Sequence, residues 1–355
     1  MENHQHYRYP TSFIKAILWV VWPVFISWGQ TDSLRFEWGG LVDSYYAYAL
    51  REPQQEQKLP FQYSYNRHNE WAINLALVRV KVSYQNTYAV VALQAGTYVE
   101  DNYAQESIQL LNEAYVGIVL DRAQKHRLEV GIMPSYIGFE SATTFHNYTL
   151  TRSLLADNSP YFMTGLAYRY QPNTRWMLGA WLTNGWQRIR KPDRTSAPGI
   201  GTQLTFKPKA QHTLNWSTYA GEEAVGLYSG MRWFHNLYWE AQWSTQWQTI
   251  VGWDLGWQKA PEGYRHWSAP IVMVRYTPNT HWQMAARVEY YTDPEQALIQ
   301  EALPLTTWGV SGNVDYRVNA YCKLRSEVRH LSATQPLLNG QSTQWLWTTG
   351  LAFMF

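Results

Sequence analysis

The chain has one cysteine, Cys322, among its 355 residues. That excludes an intramolecular disulfide and a cysteine-based metal site. Charge is scarce too, at 16% of residues against the roughly 25% of an ordinary soluble domain. A net charge of +2 lacks the basic excess of nucleic-acid binders, so no nucleic-acid partner is expected. No segment after the first 30 residues approaches the roughly 20 apolar residues that a spanning helix needs. Also missing are G-x-S-x-G, H-E-x-x-H, a P-loop, and G-x-G-x-x-G in a strand–helix setting. No cofactor or metal is expected.

Aromatic residues are abundant: 20 Trp and 26 Tyr, with Phe, Trp and Tyr together at 16%. The mean hydropathy is nevertheless polar, −0.41. Few charges, many Trp and Tyr, and a polar average fit a chain that meets lipid on one side and water on the other. At the start, Arg8 and Lys15 flank an apolar run over 16–26, followed by the small residues Ser27 and Gly29. This pattern reads as an export signal over 1–29, leaving 30–355 as one domain. Pro23 and the shortness of the run weigh against a membrane anchor.

Strand-like alternation recurs sixteen times. The segments are about 34–50, 67–84, 87–99, 111–120, 126–134, 160–170, 174–187 and 199–207, then 212–221, 231–245, 247–258, 266–277, 280–292, 304–316, 318–330 and 343–355. In one segment Trp282, Met284, Ala286, Val288 and Tyr290 share a face, while Gln283, Ala285, Arg287, Glu289 and Tyr291 share the other. At 67–84 the apolar phase slips from odd to even positions, which a bulge would reconcile, as would the absence of a continuous strand there. Tight turns carrying Pro or Asn lie at 84–86, 171–174, 207–210, 277–280 and 317–319. Longer connections lie between them at 51–66, 100–110, 135–159, 188–198, 222–230, 259–265, 293–303 and 331–342. Alternating short and long connections separate two rims. The expected fold is all-β: a transmembrane antiparallel β-barrel of about 16 strands, with short periplasmic turns and long outer loops, in a bacterial outer membrane. The last strand carries Trp345, Trp347, Leu351, Phe353 and Phe355, and closure would pair it with the first. A soluble β-sandwich is the alternative, and it would need the apolar face to form a compact core.

Several segments resemble a known family: LQAGTYVEDNYAQES (93–107), NEAYVGI (112–118), the stretch 131–166, LTNGWQ (182–187) and TLNWSTYAGEE (213–223). They are similar to OmpL-like beta-barrel porins of Bacteroidota-type outer membranes. The resemblance implies a barrel that passes small solutes and names no cargo. The expected partners are the lipid bilayer with its lipopolysaccharide, small solutes, and the barrel-assembly machinery reading Phe355. A homotrimer, usual among 16-stranded porins, is the assembly to test.

The longest connection, 135–159, carries Glu140, His146, Arg152 and Asp157. By analogy with 16-stranded porins it folds into the lumen and narrows it, with a short helix between Ser141 and Leu155 and Ser141 as N-cap. An ordinary surface loop is the alternative. Facing it, the late strands offer Arg275, Arg287, Arg317, Lys323, Arg325 and Arg329 against Glu289, Asp315 and Glu327. The early strands offer Glu37, Asp43, Glu70, Glu113 and Glu129. Segregated charge of this kind makes a transverse field, with weak anion preference from the basic wall. Pairing between neighbouring strands is the competing reading. Two other functions stand beside the channel. One is a structural or adhesion barrel with a blocked lumen. The other is a barrel hydrolase using His266 and Ser268, although the residues after them offer no oxyanion donors or calcium ligands.

Overall fold

The computed structural model describes residues 33–51, 59, 61–299, 304–337 and 340–355. The export signal expected over 1–29 lies outside the described residues. The strands are β1 (Arg35–Ala49), β2 (Glu70–Tyr84), β3 (Thr87–Ala95), β4 (Leu111–Val119), β5 (His126–Pro134), β6 (Phe162–Tyr170), β7 (Trp176–Thr183) and β8 (Gly199–Phe206). They continue as β9 (His212–Val225), β10 (Tyr228–Gln242), β11 (Trp247–Ala260), β12 (Gly263–Tyr276), β13 (Trp282–Asp293), β14 (Leu305–Arg317), β15 (Cys322–Ala333) and β16 (Thr343–Met354). Each pairs with its sequence neighbour, and β1 pairs antiparallel with β16, so the sheet closes. Closure leaves no edge of unpaired N–H and C=O groups, which a bilayer would not satisfy. Phe355 extends the seam: its N–H donates to Gly40 O at 3.0 Å, and Gly40 N–H donates back at 2.8 Å.

The period-two pattern decides inside from outside. On β13, Trp282, Met284 and Val288 are exposed to the exterior, while Gln283, Ala285, Arg287 and Glu289 are buried. Ring pairs Trp176–Phe206, Trp247–Tyr276 and Trp282–Tyr316 join strand ends at the short-turn rim, with centroids 4.2, 4.5 and 4.9 Å apart. Amphipathic rings at one level of the outer wall suit the lipid–water interface.

The phase slip in β2 is a bulge. Ile73 pairs with Ser44 and Leu75 with Asp43, leaving Asn74 as the extra residue. Asn74 turns inward, donates to Asp43 at 3.3 Å and accepts from Tyr65 N–H at 3.2 Å. At the base of the longest connection, Gly131 and Gly165 sit opposite each other with φ of 137° and 156°.

Several expected boundaries are corrected. β3 stops at Ala95, and after Gly96 the chain enters α1 (Thr97–Asn102) instead of continuing to 99. β15 begins at Cys322, not 318, because Asn319 accepts from Tyr321 N–H at 2.8 Å and holds a turn. The long connections expected at 222–230 and 259–265 are two-residue turns, at 226–227 and 261–262. There the inward–outward alternation persists, and Val225 pairs with Tyr228 and Ala260 with Gly263. The long-loop rim therefore carries six longer connections and two tight hairpins.

Candidate functional site

Between Pro134 and Phe162 the chain leaves the wall and crosses the lumen. Ser135 N–H donates to Tyr161 O at 3.0 Å and closes the root of this excursion. The stretch 144–160 is buried almost throughout, His146 excepted. It holds a 3-10 turn, Thr144–His146, and one helical turn, α2 (Leu154–Asp157). Ser153, not Ser141, is the N-cap: its Oγ accepts from Ala156 N–H at 3.1 Å. Ser141 Oγ instead accepts from Thr143 N–H at 3.1 Å. Ser, Thr and Asn side chains over 141–151 compete for the backbone and keep that stretch from a longer helix.

Polar groups of the wall receive the loop on several sides. Tyr136 donates to Thr218 O at 2.7 Å, and Gly138 N–H donates to Asn236 Oδ1 at 3.1 Å. Leu150 N–H reaches Asn313 Oδ1 at 3.0 Å, Thr151 N–H reaches Glu327 at 2.6 Å, and Leu154 N–H reaches Glu289 at 2.7 Å. Thr144 donates to Asp43 at 3.2 Å, and Tyr65 from the first connection donates to the same carboxylate. Buried loop backbone needs such partners, since no bulk water reaches it.

The expected basic wall is therefore not an open face. Arg287, Lys323, Arg325 and Arg329 are buried beneath the loop. Lys323 donates to Phe145 O at 2.6 Å, and Arg325 to Thr144 O at 2.8 Å and Asn147 O at 3.1 Å. Arg329 bonds Glu289 at 2.6 Å, and Arg325 bonds Asp315 at 2.9 Å. The segregated field is corrected as well. On the early strands Arg79 pairs with Glu113 at 3.1 Å, Lys81 with Glu37 at 3.0 Å, and Arg169 with Glu129 at 2.8 Å.

Of the four loop residues singled out by sequence, Arg152 and Asp157 come together at 3.9 Å beside Tyr161, and Glu140 and His146 make separate contacts. Glu140 accepts from Ser153 N–H at 3.1 Å and from its hydroxyl. Arg152 lies 3.7 Å over the Tyr161 ring and donates to Ala156 O at 2.9 Å. Asp157 accepts from Tyr161 at 2.7 Å and Ser64 at 3.2 Å. His146 alone is exposed at the surface of the loop, and its partial desolvation together with Lys323 and Arg275 holds its imidazole below the usual range. Burial raises the Glu140 carboxyl, and it pushes Asp157 up to about 6 against the opposing pull of Arg152. A carboxyl raised on docking favours the docked loop below its unfolded pKa, and that gain is lost as pH rises through the docked value. The seated loop is thus expected to be more protease-resistant at pH 4 than at pH 8. Asp157→Asn should flatten that dependence when digestion is followed across the range.

Open volume lies on both sides of the loop. A cavity of about 1020 Å³ on the short-turn side is lined by Arg35, Arg79, Lys81, Arg122, Arg127 and Arg169, with the acids Glu37, Asp121 and Glu129. A second, of about 330 Å³, lies under the loop between His146, Tyr148, Arg275 and Arg317. On the long-loop side a cavity of about 570 Å³ is bounded by Tyr63, Asp157, Trp186, Glu223 and Arg232. His266 and Ser268 are not brought together for catalysis: His266 contacts Glu295 at 3.0 Å, and Ser268 Oγ accepts from Trp253 Nε1 at 2.8 Å. The sequence pattern does not single out Asn236 and Asn313, which anchor the loop, Asn74, which holds Tyr65 of the first connection, or the accessible Arg79, Arg127 and Arg169. Asparagine inside a strand is disfavoured, and that was the signal available for the first three.

A closed sixteen-strand antiparallel sheet with an aromatic exterior and an inward-folded loop is a porin-like barrel of the bacterial outer membrane. The chain belongs to the family described as "Putative beta-barrel porin-2, OmpL-like", which matches residues 35–355. No curated protein matches the sequence. Among solved structures it is similar to the outer membrane channel DcaP of Acinetobacter baumannii, with TM-score 0.64, 9% identity, and 92% of this chain and 99% of that one covered. It is also similar to an anion-selective porin from Comamonas acidovorans, with TM-score 0.62, 9% identity, and 91% and 100% covered. A third is the trimer form of the outer membrane protein OmpT of Vibrio cholerae, with TM-score 0.63, 8% identity, and 91% and 100% covered. At these identities the likeness is one of fold.

Proposed function

We propose that the protein is a passive diffusion channel for small polar solutes, with weak anion preference and no enzymatic activity. The loop 135–159 is its constriction. Arg287, Lys323, Arg325 and Arg329 act by holding that loop, and Glu140, His146, Arg152 and Asp157 belong to it. The observation that carries the anion preference is the 1020 Å³ cavity, where six cationic side chains face three carboxylates. A low-dielectric wall focuses that excess onto ions passing through. The Comamonas neighbour is itself described as anion-selective, and the trimer form of the Vibrio protein supports a homotrimer here. Removal of 1–29, contact with lipopolysaccharide and delivery through the assembly machinery belong to the same reading.

The test is single-channel current from refolded protein in a planar bilayer under a KCl gradient. Ohmic steps with an anionic reversal potential are expected. Replacing Arg79, Arg127 and Arg169 together by Gln should turn the preference cationic, because Glu113 and Glu129 lose their partners. A second reading, a barrel blocked by its own loop, draws on the buried apolar cluster that joins Tyr136, Tyr148 and Leu154 to Trp181, Trp267 and Tyr291 across the interior. Folded protein carrying no current would favour it.

A further inference from the structure

The cavity of about 570 Å³ on the long-loop side contains an unsatisfied cation. Arg232 is only 5% exposed and lines this cavity. Its Nε donates to Gln258 Oε1 at 2.9 Å. Its terminal nitrogens have no acceptor among the described residues. The guanidinium carbon lies 5.2 Å from the Trp186 ring and 5.7 Å from the Trp267 ring. These two rings stand nearly perpendicular, at 81°, and frame the group without neutralising it. A buried guanidinium with unspent donors is costly to fold around unless something else meets them. The other arginine of the cavity, Arg188, is already engaged, by Gln105 at 3.0 Å and Glu106 at 3.7 Å.

The neighbouring carboxylate is Glu223. Its Oε1 accepts from Trp186 N–H at 2.8 Å and from the Tyr219 hydroxyl. Arg232 and Glu223 sit on adjacent strands, on the inward face, but form no ion pair. Arg232 pairs in register with Gly221, and Glu223 with Gly230. Neither glycine offers a partner side chain, and the space beside them is taken by the Tyr219 ring at Gly221 and by the Lys259 backbone at Gly230. The cavity wall also includes Asp101, Glu106 and Asp157, which are partnered by Arg67, Arg188 and Arg152, so a purely anionic solute at Arg232 would be repelled chiefly by Glu223. A solute carrying both signs would not.

We propose that this cavity binds a small zwitterion, an amino-acid-like solute whose carboxylate is taken by Arg232 between Trp186 and Trp267 and whose ammonium lies against Glu223. The planar fork of the guanidinium suits a carboxylate. This deepens the channel reading and rests on it for the route by which solute arrives.

The experiment is calorimetric titration of the refolded protein in detergent with β-alanine, propionate and ethylammonium, with Trp fluorescence as a second readout. β-Alanine is expected to bind at about 1 mM. Propionate and ethylammonium should each bind at least about tenfold more weakly. Glu223→Gln and Arg232→Gln should each weaken β-alanine by a similar factor. Arg232→Lys keeps the charge, loses the fork, and carries the test if the glutamine variant does not fold. Propionate binding as tightly as β-alanine overturns the zwitterion assignment. β-Alanine binding unmoved by Glu223→Gln and Arg232→Lys overturns the site. Bilayer recordings of the same preparation separate the two readings: current without β-alanine binding ends this proposal alone, whereas binding without current ends the channel reading alone.

Discussion

Replacing Arg287 by Met is expected to unseat the loop 135–159 and enlarge the single-channel current. The Arg287 side chain is completely buried, so each bond it makes is made without water. It donates to Thr149 Oγ1 and Thr151 O at 2.9 Å, to Thr151 Oγ1 at 3.1 Å and to Glu327 at 2.8 Å. Its Nε lies 3.2 Å from Glu289. Removing it strands the buried carboxylate of Glu327, leaves Glu289 to Arg329 alone, and frees the loop carbonyl of Thr151. Breaking such a buried network costs about 3–5 kcal/mol, roughly a hundredfold or more in the docking equilibrium. Two measurements check this. Steps in a planar bilayer should become larger and noisier. Trypsin should cut folded protein after Arg152, which the seated loop hides. Adding Glu327→Gln to the variant should recover part of the seating, because Glu289 keeps Arg329 at 2.6 Å and no carboxylate is then left without a cation. Unchanged current and unchanged protease resistance would mean that the hydrogen bonds at Asn236, Asn313 and Asp43 hold the loop alone.

Gly165→Ala should act earlier, on assembly of the barrel. A β-carbon there would lie 1.9 Å from the carbonyl oxygen of Leu182, which belongs to the backbone of β7 and has no rotamer to escape into. The residue's φ of 156° is also one that side chains rarely adopt. Backbone strain alone costs about 1–3 kcal/mol, and the contact forces β6 and β7 apart in addition. The yield of heat-modifiable folded protein, read as a shift between boiled and unboiled samples on a gel, should fall at least about tenfold. Gly131→Ala should act in the same direction, since its added carbon would meet Ala114 O at 2.2 Å. Wild-type yield from both variants would show that this part of the wall yields easily.

Both variants act on features that the sequence disclosed unequally. All sixteen strands were legible because the wall has a lipid side and an inner side, and period two records that difference directly. A bulge in β2 was legible for the same reason, but not its place: the apolar pattern changes phase after Leu77, whereas the inserted residue is Asn74 and Leu75 already faces inward. The hairpins at 226–227 and 261–262 were not. GEEAVGLYSG carries turn residues and charges, and where a strand rises out of the bilayer its outer face no longer has to be apolar. The basic residues of β13 and β15 were correctly placed on the inner face, but their role was misjudged. Period two says that Arg287 points inward and says nothing about what waits there. The loop that covers it comes from far earlier in the chain, and no local pattern encodes that contact. Arg232 escaped notice for a related reason. A lone arginine on an inward face is ordinary, and only the absence of a partner sets it apart.

The two tight hairpins have a consequence for the mouth of the barrel. The β9–β10 and β11–β12 ladders each run to the last residue before their turn, so little backbone within either hairpin is free to move. Amides in those strand tips should exchange with solvent slowly. The mouth thus has a rigid lip along four of its sixteen strands. Adjustment of its aperture has to come from the connections on the other strands, and a large molecule approaching from outside would meet a fixed ledge on one side.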